Sequence, residues 1–313
     1  MYGMKTLTLK IVMMGFVSLA ASNAVAEEQE ARWNPASSGP FFTSTSDTTP
    51  PGSFFAEVYG YLGFQQASHN LSVPLRFDQG VVPNVEFDIT TPYEHTWITG
   101  PAGTSGSGGG VGDTLVFFKF RFLNETSSFP SLAIMPMLTL PSGNATDLNP
   151  SQNGADQTGQ GALEGTIALL ARKLIRPFKL YGELAYTGSG TLKMVPGYSL
   201  TNLNSISPGQ TVVPGDNFYY SFAFEHVLND QNGLGYILEF YGNHAFATSL
   251  LSGSASTSSW TQVSLAPEIE FDTGSFQWAG GISLPVLSTG GAPASTTYML
   301  TVTWQYDGPL GHR

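Results

Sequence analysis

Apolar and polar residues alternate with a period of two, over stretches of strand length, throughout residues 53–306. The clearest stretch is 113–122, where large apolar residues take every second position and Lys119 and Arg121 lie between them. A strand with phenylalanines on one face and cations on the other cannot be buried in a dry core on both sides. We therefore expect one face of each strand to meet lipid and the other a polar interior. The residues predicted to face lipid include Phe118, Phe120, Phe122, Phe222, Phe224, Leu265 and Val302.

The pattern predicts twelve strands, bounded by Gly, Pro, Asn and Asp. Pro74 interrupts the second, which makes it the weakest of the set. The predicted strands cover 53–64, 69–78, 84–93, 112–122, 131–140, 161–172, 177–187, 216–228, 234–245, 259–271, 275–286 and 296–306.

The connections between these strands alternate in length. Those after even-numbered strands are short, and all the others except the first are long. Short turns at one end, long loops at the other and an even strand count are typical of bacterial outer-membrane barrels. The sequence therefore predicts an all-β fold: a transmembrane antiparallel β-barrel of about twelve strands with both termini periplasmic. We expect the connections 94–111 and 188–215 to fold over its outer mouth.

The N-terminus has the features of a secretory signal peptide. Lys5 and Lys10 precede a short apolar run, and small residues at 24–26 precede Glu27. Residues 27–52 begin acidic and become rich in Ser, Thr and Pro, which predicts an extension without a fold of its own, either periplasmic or tucked into the lumen. The expected organisation is a signal peptide at 1–26, a flexible extension at 27–52, the barrel at 53–306 and a C-terminal tail at 307–313.

The composition supports a membrane barrel. Only 11% of residues are charged and 12% are aromatic, yet mean hydropathy is close to zero, as expected when each strand has one lipid face and one wet face. Loss of 1–26 removes two lysines and no acid, leaving ten basic and 23 acidic residues and a net charge of −13. That balance argues against a nucleic-acid partner. The chain has no cysteine, so no disulfide framework or lipid-anchored cysteine is expected.

Several strand-shaped motifs resemble a known family. They are GVGDTLVFFKFRFLNE (110–125), SLAIMPMLTLPSGN (131–144), KLYGELAYTG (179–188), GDNFYYSFAFEHVLN (215–229) and YILEFYGN (236–243). In this order they resemble the family known as MetA-pathway of phenol degradation, a group of outer-membrane transport barrels. The resemblance covers most of 53–306 and implies a channel linked to uptake of aromatic or other hydrophobic compounds. Such barrels usually end on an aromatic recognised by the assembly machinery, whereas here Trp304 and Tyr306 are followed by a further tail, 307–313.

The candidate functional residues are charges that the alternation places inside the barrel. They form either a pore lining that disfavours anions or ion pairs that brace and block the lumen. The predicted lumen-lining residues are Glu57, Lys119, Arg121, Glu183, Glu225, Glu239, Glu268 and Glu270, with Glu86, Asp88, Glu164 and Lys179 on a face that also fits the interior.

Other candidate sites carry weaker signals. The glycine run 106–112 precedes a strand rather than a helix, so it does not indicate a phosphate loop. The five histidines lack metal-ligand spacing, and no serine is marked as a nucleophile. We therefore expect no cofactor, no metal and no enzyme activity. The expected partners are outer-membrane lipid, small hydrophobic or aromatic solutes and the assembly machinery.

Three function hypotheses stay open. The first is an outer-membrane channel for passive uptake of small, hydrophobic or aromatic molecules. The alternative is a structural or adhesive barrel whose lumen is closed and whose long loops bind a partner outside. A barrel enzyme acting on lipid is a third and weaker reading.

The signal peptide yields a direct prediction. The mature chain should begin near Glu27 and fractionate with the outer membrane, because the charged start, apolar run and small residues match the requirements of signal cleavage. Mass spectrometry of the purified protein tests this. An intact Met1, or recovery from the cytosol, would contradict it.

Overall fold

The structure is a computed structural model that describes residues 39–65, 67–99, 105–193, 211–250, 258–291 and 294–306. The predicted signal peptide and C-terminal tail lie outside these residues. So do 27–38 of the predicted extension and 194–210 of the connection expected to cover the mouth.

The described chain is almost entirely β-strand. A single 3₁₀ turn, Pro150–Gln152, is its one helical element. No helix in the described ranges is long and apolar enough to cross a membrane. The strands are β1 Phe54–Phe64, β2 Ser68–Val82, β3 Val85–Ile98, β4 Gly106–Val111, β5 Thr114–Leu123, β6 Ser131–Leu140, β7 Glu164–Ile175, β8 Phe178–Ser189, β9 Leu192–Lys193, β10 Thr211–Val213, β11 Asn217–Asn229, β12 Leu234–Ala245, β13 Ser249–Leu250, β14 Trp260–Thr273, β15 Phe276–Thr289 and β16 Thr296–Tyr306.

Thirteen of these strands form one closed antiparallel sheet. Neighbours in sequence pair around the ring, and β16 returns to pair with β1 over the full length of both strands, from Phe54 opposite Tyr306 to Phe64 opposite Thr296. β4 and β5 both pair with β3 and together act as one interrupted strand. β9, β10 and β13 form a small separate sheet. The ring is therefore a twelve-stranded barrel, which confirms the predicted fold class.

The barrel has two unlike ends. The turn end carries the short connections, such as the two-residue turns 83–84, 176–177 and 274–275. The loop end carries the longer ones, including 141–163. Residues 39–53 precede β1 at the turn end.

The outer surface is apolar. Phe118 and Phe222 are 42% and 51% exposed, whereas Lys119 and Glu225, one and three positions along, are 3% and 0% exposed. Exposed aliphatic and aromatic side chains continue around the ring, and a water-exposed surface of this extent would be unfavourable. The closed ring and its apolar exterior place the protein in the bacterial outer membrane. Members of this surface include Ile167, Leu169, Leu184, Leu238, Phe240, Ile269 and Leu300.

Four register shifts interrupt the strand pairing in the described residues. One of them lies between Arg121 and Leu123 on β5, at Phe122, so the alternation that predicted Phe122 on the lipid face ends there. Pro74 does not break the second strand, because it lies inside β2 opposite Pro92 of β3.

The predicted connection 94–111 is wrong. β3 continues to Ile98 and the glycine run forms β4, so most of this range is a strand pair. Glycine carries no side chain, and a glycine-rich strand therefore shows no alternation in the sequence.

The glycines of β4 allow the connection 141–163 to pack on that strand. A Cβ on Gly106 would lie 1.9 Å from the Gln152 carbonyl oxygen, and one on Gly108 would lie 2.8 Å from the Asp156 Cα. The backbone N–H of Ser107 also donates to the Gln152 side chain at 3.0 Å. Since β4 presents Val111 outward, where it is 55% exposed, these glycines face the interior. The connection 141–163 therefore folds inward at the loop end.

The lipid-facing surface predicts a depth-dependent effect of charge. Phe222→Arg, at the middle of β11, should lower the free energy of unfolding by about 2–4 kcal/mol, because the guanidinium must enter hydrocarbon. Phe218→Arg, near the loop end of the same strand, should cost only about 0–1 kcal/mol. Denaturant unfolding in lipid vesicles measures both, and equal losses would show that the membrane is not centred on β11.

Candidate functional site: a segment inserted between two interior cavities

Residues 39–53, here called the inserted segment, lie inside the barrel. This stretch has no regular strand of its own, so its backbone N–H groups need other acceptors. Inward carboxylates of the wall supply them, in charge-assisted hydrogen bonds. The bonds run from Gly39 N to Glu270 (3.3 Å), Phe42 N to Glu239 (3.0 Å), Thr43 N to Glu239 (3.1 Å), Ser44 N to Glu183 (2.7 Å) and Thr49 N to Glu86 (2.7 Å).

The inserted segment runs from the turn end to the middle of the barrel and then returns to the turn end. It begins beside Glu270, near the turn end, and reaches the middle of the barrel at Glu239. On its return the hydroxyls of Ser46 and Ser131 lie 2.6 Å apart. It ends against Gly80, whose N–H donates to Ser53 O at 3.1 Å. Position 80 must be glycine, because a Cβ there would lie 2.0 Å from the Pro50 carbonyl oxygen.

An aromatic cluster surrounds the highest point of the inserted segment. The ring of Phe42 stacks on Tyr241 with centroids 4.1 Å apart, and Phe41 meets Tyr61 edge-on at 6.2 Å. The hydroxyl of Tyr219 donates to the Phe42 carbonyl at 2.5 Å. Tyr59 also contacts Phe41 and Tyr61, so six aromatic rings from the segment and the wall meet at mid-height of the barrel.

Two interior cavities lie on either side of this cluster. The turn-end cavity, about 560 Å³, is bordered by the inserted segment and by the charged part of the wall. The loop-end cavity, about 470 Å³, has Glu183 and Tyr219 at its inner boundary, and both of these contact the inserted segment. The remaining lining of the loop-end cavity includes Leu115, Met137, Thr139, Glu164, Thr166, Thr187, Asn217, Phe246 and Trp260.

Charges are distributed unevenly between these cavities. Five basic side chains line the turn-end cavity, together with several carboxylates. The charged residues that line the loop-end cavity within the described ranges are Glu164 and Glu183, both acidic. The basic side chains of the turn-end cavity are Arg76, Lys119, Arg121, Arg172 and Lys179.

The eight sequence-predicted site residues fall into two groups. Four are in ion pairs: Glu57 with Arg76 at 3.3 Å, Lys119 with Glu86 at 2.9 Å, Arg121 with Asp47 at 3.5 Å and Glu225 with Lys179 at 2.8 Å. Of the other four, Glu183, Glu239 and Glu270 accept backbone N–H groups of the inserted segment. Glu268 is buried on β14, which pairs with the strand that carries Glu239. Three of the four ion pairs therefore brace the wall, whereas the Arg121–Asp47 pair joins the wall to the inserted segment.

Sequence reasoning missed an ion cluster around Arg76. Its guanidinium contacts Asp88 at 2.6 Å, Asp78 at 2.9 Å and Glu57 at 3.3 Å. The signal was present, because Arg76 and Asp78 alternate with apolar neighbours, but the proline in that strand obscured it. Oxygens of Asp78, Glu86 and Asp88 lie close enough together for a metal; Arg76 and Lys119 already neutralise them.

Sequence reasoning also missed both residues of an ion pair that joins the inserted segment to the wall at the turn end. Asp47 of the segment bonds Arg172 of β7, and Arg172 was not among the predicted site residues. A single Asp in a Ser/Thr-rich stretch has no periodicity that would indicate a contact with a strand 125 residues away.

Comparisons with known proteins bear on the fold. No protein-family model matches the chain, and no curated protein matches it. The chain is similar in structure to an outer membrane channel from Pseudomonas putida F1, with a TM-score of 0.68 at 10% identity, covering 87% of this chain and all of that one. Weaker likenesses are to the NanC porin, with a TM-score of 0.44 at 8% identity covering 80% of this chain and all of that one, and to a mutant of the TodX monoaromatic hydrocarbon channel, with a TM-score of 0.39 at 11% identity covering 83% and 91%.

At 10% identity the first likeness shows a shared fold. Together with the closed ring and the apolar exterior, it identifies the class as bacterial outer-membrane β-barrels. The polar, partly filled interior is the part of this barrel where function is to be sought.

The Arg76 cluster yields a stability prediction. Arg76→Met should lower the free energy of unfolding by about 3 kcal/mol, because Asp78 and Asp88 would stay buried without their cation. Arg176→Met is the control: its guanidinium is 70% exposed and pairs with Asp230 in a turn, so its loss should cost less than about 1 kcal/mol. Denaturant unfolding in detergent measures both, and similar losses would mean that the cluster is dispensable.

Proposed function

We propose that the protein is an outer-membrane channel for passive passage of small molecules, hydrophobic or aromatic ones in particular, and that the inserted segment must move for a solute to pass. The observation that carries this proposal is the pair of cavities on either side of the segment. Together they amount to a path along the barrel axis that is interrupted at one level, by the inserted segment and the wall tyrosines that contact it.

The contacts of the inserted segment suit displacement. Within the described residues, its backbone hydrogen bonds to the wall are made with Gly80, beside the isolated bridge between Pro51 and Gly80. Its other contacts involve side chains: hydrogen bonds, ion pairs and ring contacts. The barrel strands pair with one another without it, so the wall does not need the segment to satisfy its backbone. When the segment leaves, water can solvate the carboxylates that it uncovers.

The proposed solute class rests on the lining of the path. The loop-end cavity has Met137, Phe246 and Trp260 beside threonine hydroxyls and an asparagine, which is the mixture of apolar surface and few polar groups typical of small-molecule sites. Beyond it the solute would meet the rings of Tyr219 and Tyr241, which offer faces for stacking. The sequence resemblance to phenol-degradation transport barrels supports the same class.

The two glutamates of the loop-end cavity favour neutral or cationic solutes over anions at the entrance. The lumen-lining role of the eight predicted residues is part of this proposal. Contact with outer-membrane lipid follows from the exterior, and recognition by the assembly machinery stays a prediction.

A structural or adhesive barrel remains the second candidate. The observation in its favour is that the inserted segment and the aromatic cluster fill the middle of the lumen. The two candidates differ in whether the segment leaves its position.

A reversible lock of the inserted segment distinguishes them. The chain has no cysteine, and the hydroxyls of Ser46 and Ser131 lie 2.6 Å apart, so cysteines at these two positions would bring their sulfur atoms close to each other. In planar bilayers, Ser46→Cys/Ser131→Cys should conduct at least about tenfold less when oxidised than when reduced, because the disulfide holds the segment in the lumen. Benzyl alcohol should reduce the current of the reduced form more than an aliphatic alcohol of similar polarity.

The control links two positions of the wall. Thr91→Cys/Thr114→Cys joins hydroxyls that lie 3.1 Å apart and contains no residue of the segment, so its conductance should not respond to the reductant. A second variant that lacks residues 39–49 should conduct more than the natural chain. If oxidation changes nothing and the deletion variant conducts no better than the natural chain, the channel proposal fails and the structural barrel replaces it.

A further inference from the structure

The side chain of Asp47 makes unusual contacts for an acid in an irregular segment. Its carboxylate bonds Arg172, lies 3.5 Å from the Arg121 guanidinium and accepts the Thr45 hydroxyl at 3.2 Å. Lys119 Nζ donates to the Asp47 backbone carbonyl at 3.0 Å. Three cations of the wall therefore converge on one residue of the inserted segment.

The wall also supplies partners for these cations. Lys119 pairs with Glu86 at 2.9 Å, and the Arg121 Nε and Nη2 atoms donate to the Asn84 side-chain oxygen at 2.9 and 2.7 Å. Arg172 lies 3.6 Å from Glu125. Each of the three cations therefore has a partner on the barrel wall in addition to its contact with Asp47.

Asp47 supplies the negative charge next to Arg121. Within the described residues, the Arg121 guanidinium has Asp47 as its ion-pair partner at 3.5 Å and the neutral Asn84 side-chain oxygen as its other hydrogen-bond acceptor. A carboxylate removed from this position would leave the Arg121 guanidinium without an ion-pair partner beside the turn-end cavity.

We propose that Arg121, Arg172 and Lys119 form a binding site for the carboxylate of a small solute, and that Asp47 occupies this site as an internal competitor. The guanidinium groups present planar, paired donors that match a carboxylate. The adjoining cavity of about 560 Å³ has room for the rest of a small aromatic acid. This inference deepens the proposed function by naming a class of solute, aromatic carboxylates, and it relies on that function for passage but not for binding.

An anionic solute would reach this site from the turn end of the barrel. Glu164 and Glu183 disfavour anions at the loop-end cavity, whereas the cations line the turn-end cavity. A solute carboxylate that takes the place of Asp47 removes one of the contacts that keep the segment inserted. Since Asp47 is attached to the chain next to its site, it competes at a high effective concentration and weakens solute binding.

Binding measurements on purified full-length protein in detergent test the site, with benzoate as the probe. Asp47→Asn and Asp47→Ser remove the internal carboxylate and should each bind benzoate at least about tenfold more tightly than the natural chain. Adding Arg121→Gln to Asp47→Asn should abolish that gain. Benzyl alcohol, which has the same ring without the charge, should bind no better to the Asp47 variants than to the natural chain.

The matched control is Asp230→Asn, which removes a carboxylate from an exposed ion pair with Arg176 in a turn and should leave benzoate binding unchanged. Equal benzoate affinity in the natural chain and both Asp47 variants, or equal gains for benzyl alcohol, would overturn the proposal. The benzoate measurement involves no permeation, so the two proposals can fail separately. If the Asp47 variants gain no affinity for benzoate but oxidation of Ser46→Cys/Ser131→Cys lowers the conductance, the binding site is rejected and the channel is kept. If the Asp47 variants bind benzoate tightly but the protein does not conduct, the channel is rejected and the binding site is kept.

Discussion

A strand in hydrocarbon has no water to satisfy its backbone N–H and C=O groups, and the pairing of β16 with β1 is what removes the last open edge of this sheet. Everything else in the molecule depends on that ring. Once the ring is closed, each strand must present one face to lipid and the other to the interior. The large apolar residues take the outer face, and the charged residues have only the inner one.

The interior then has its own requirement, since carboxylates and cations that are shielded from bulk water need partners. This barrel meets the requirement in two ways. At the turn end the wall pairs its own charges, as in the cluster around Arg76. Nearer the middle of the barrel, the carboxylates of Glu183 and Glu239 accept hydrogen bonds from backbone N–H groups of the inserted segment. The segment and the acidic wall therefore satisfy each other, and neither would be as stable inside the barrel alone.

The sequence predicts the parts of this structure that repeat. Alternation locates Lys119 and Glu225 on the inner face because each lies in a strand with large apolar neighbours. It fails for β4, where glycines carry no pattern, and for the inserted segment, whose contacts join residues up to 231 positions apart. Asp47 could not have been connected with Arg121 or Arg172 from the sequence, because those contacts depend on the curvature of the closed ring and on the path of the chain within it.

The position of the inserted segment in the chain has a consequence for assembly. The seam between β1 and β16 joins the first and last barrel strands to be synthesised, so the ring closes late. The segment enters from the turn end, directly before β1, and none of its residues passes through the seam. Closure of the ring and filling of its interior are therefore separable events, because the segment can enter from the turn end after β16 has paired with β1.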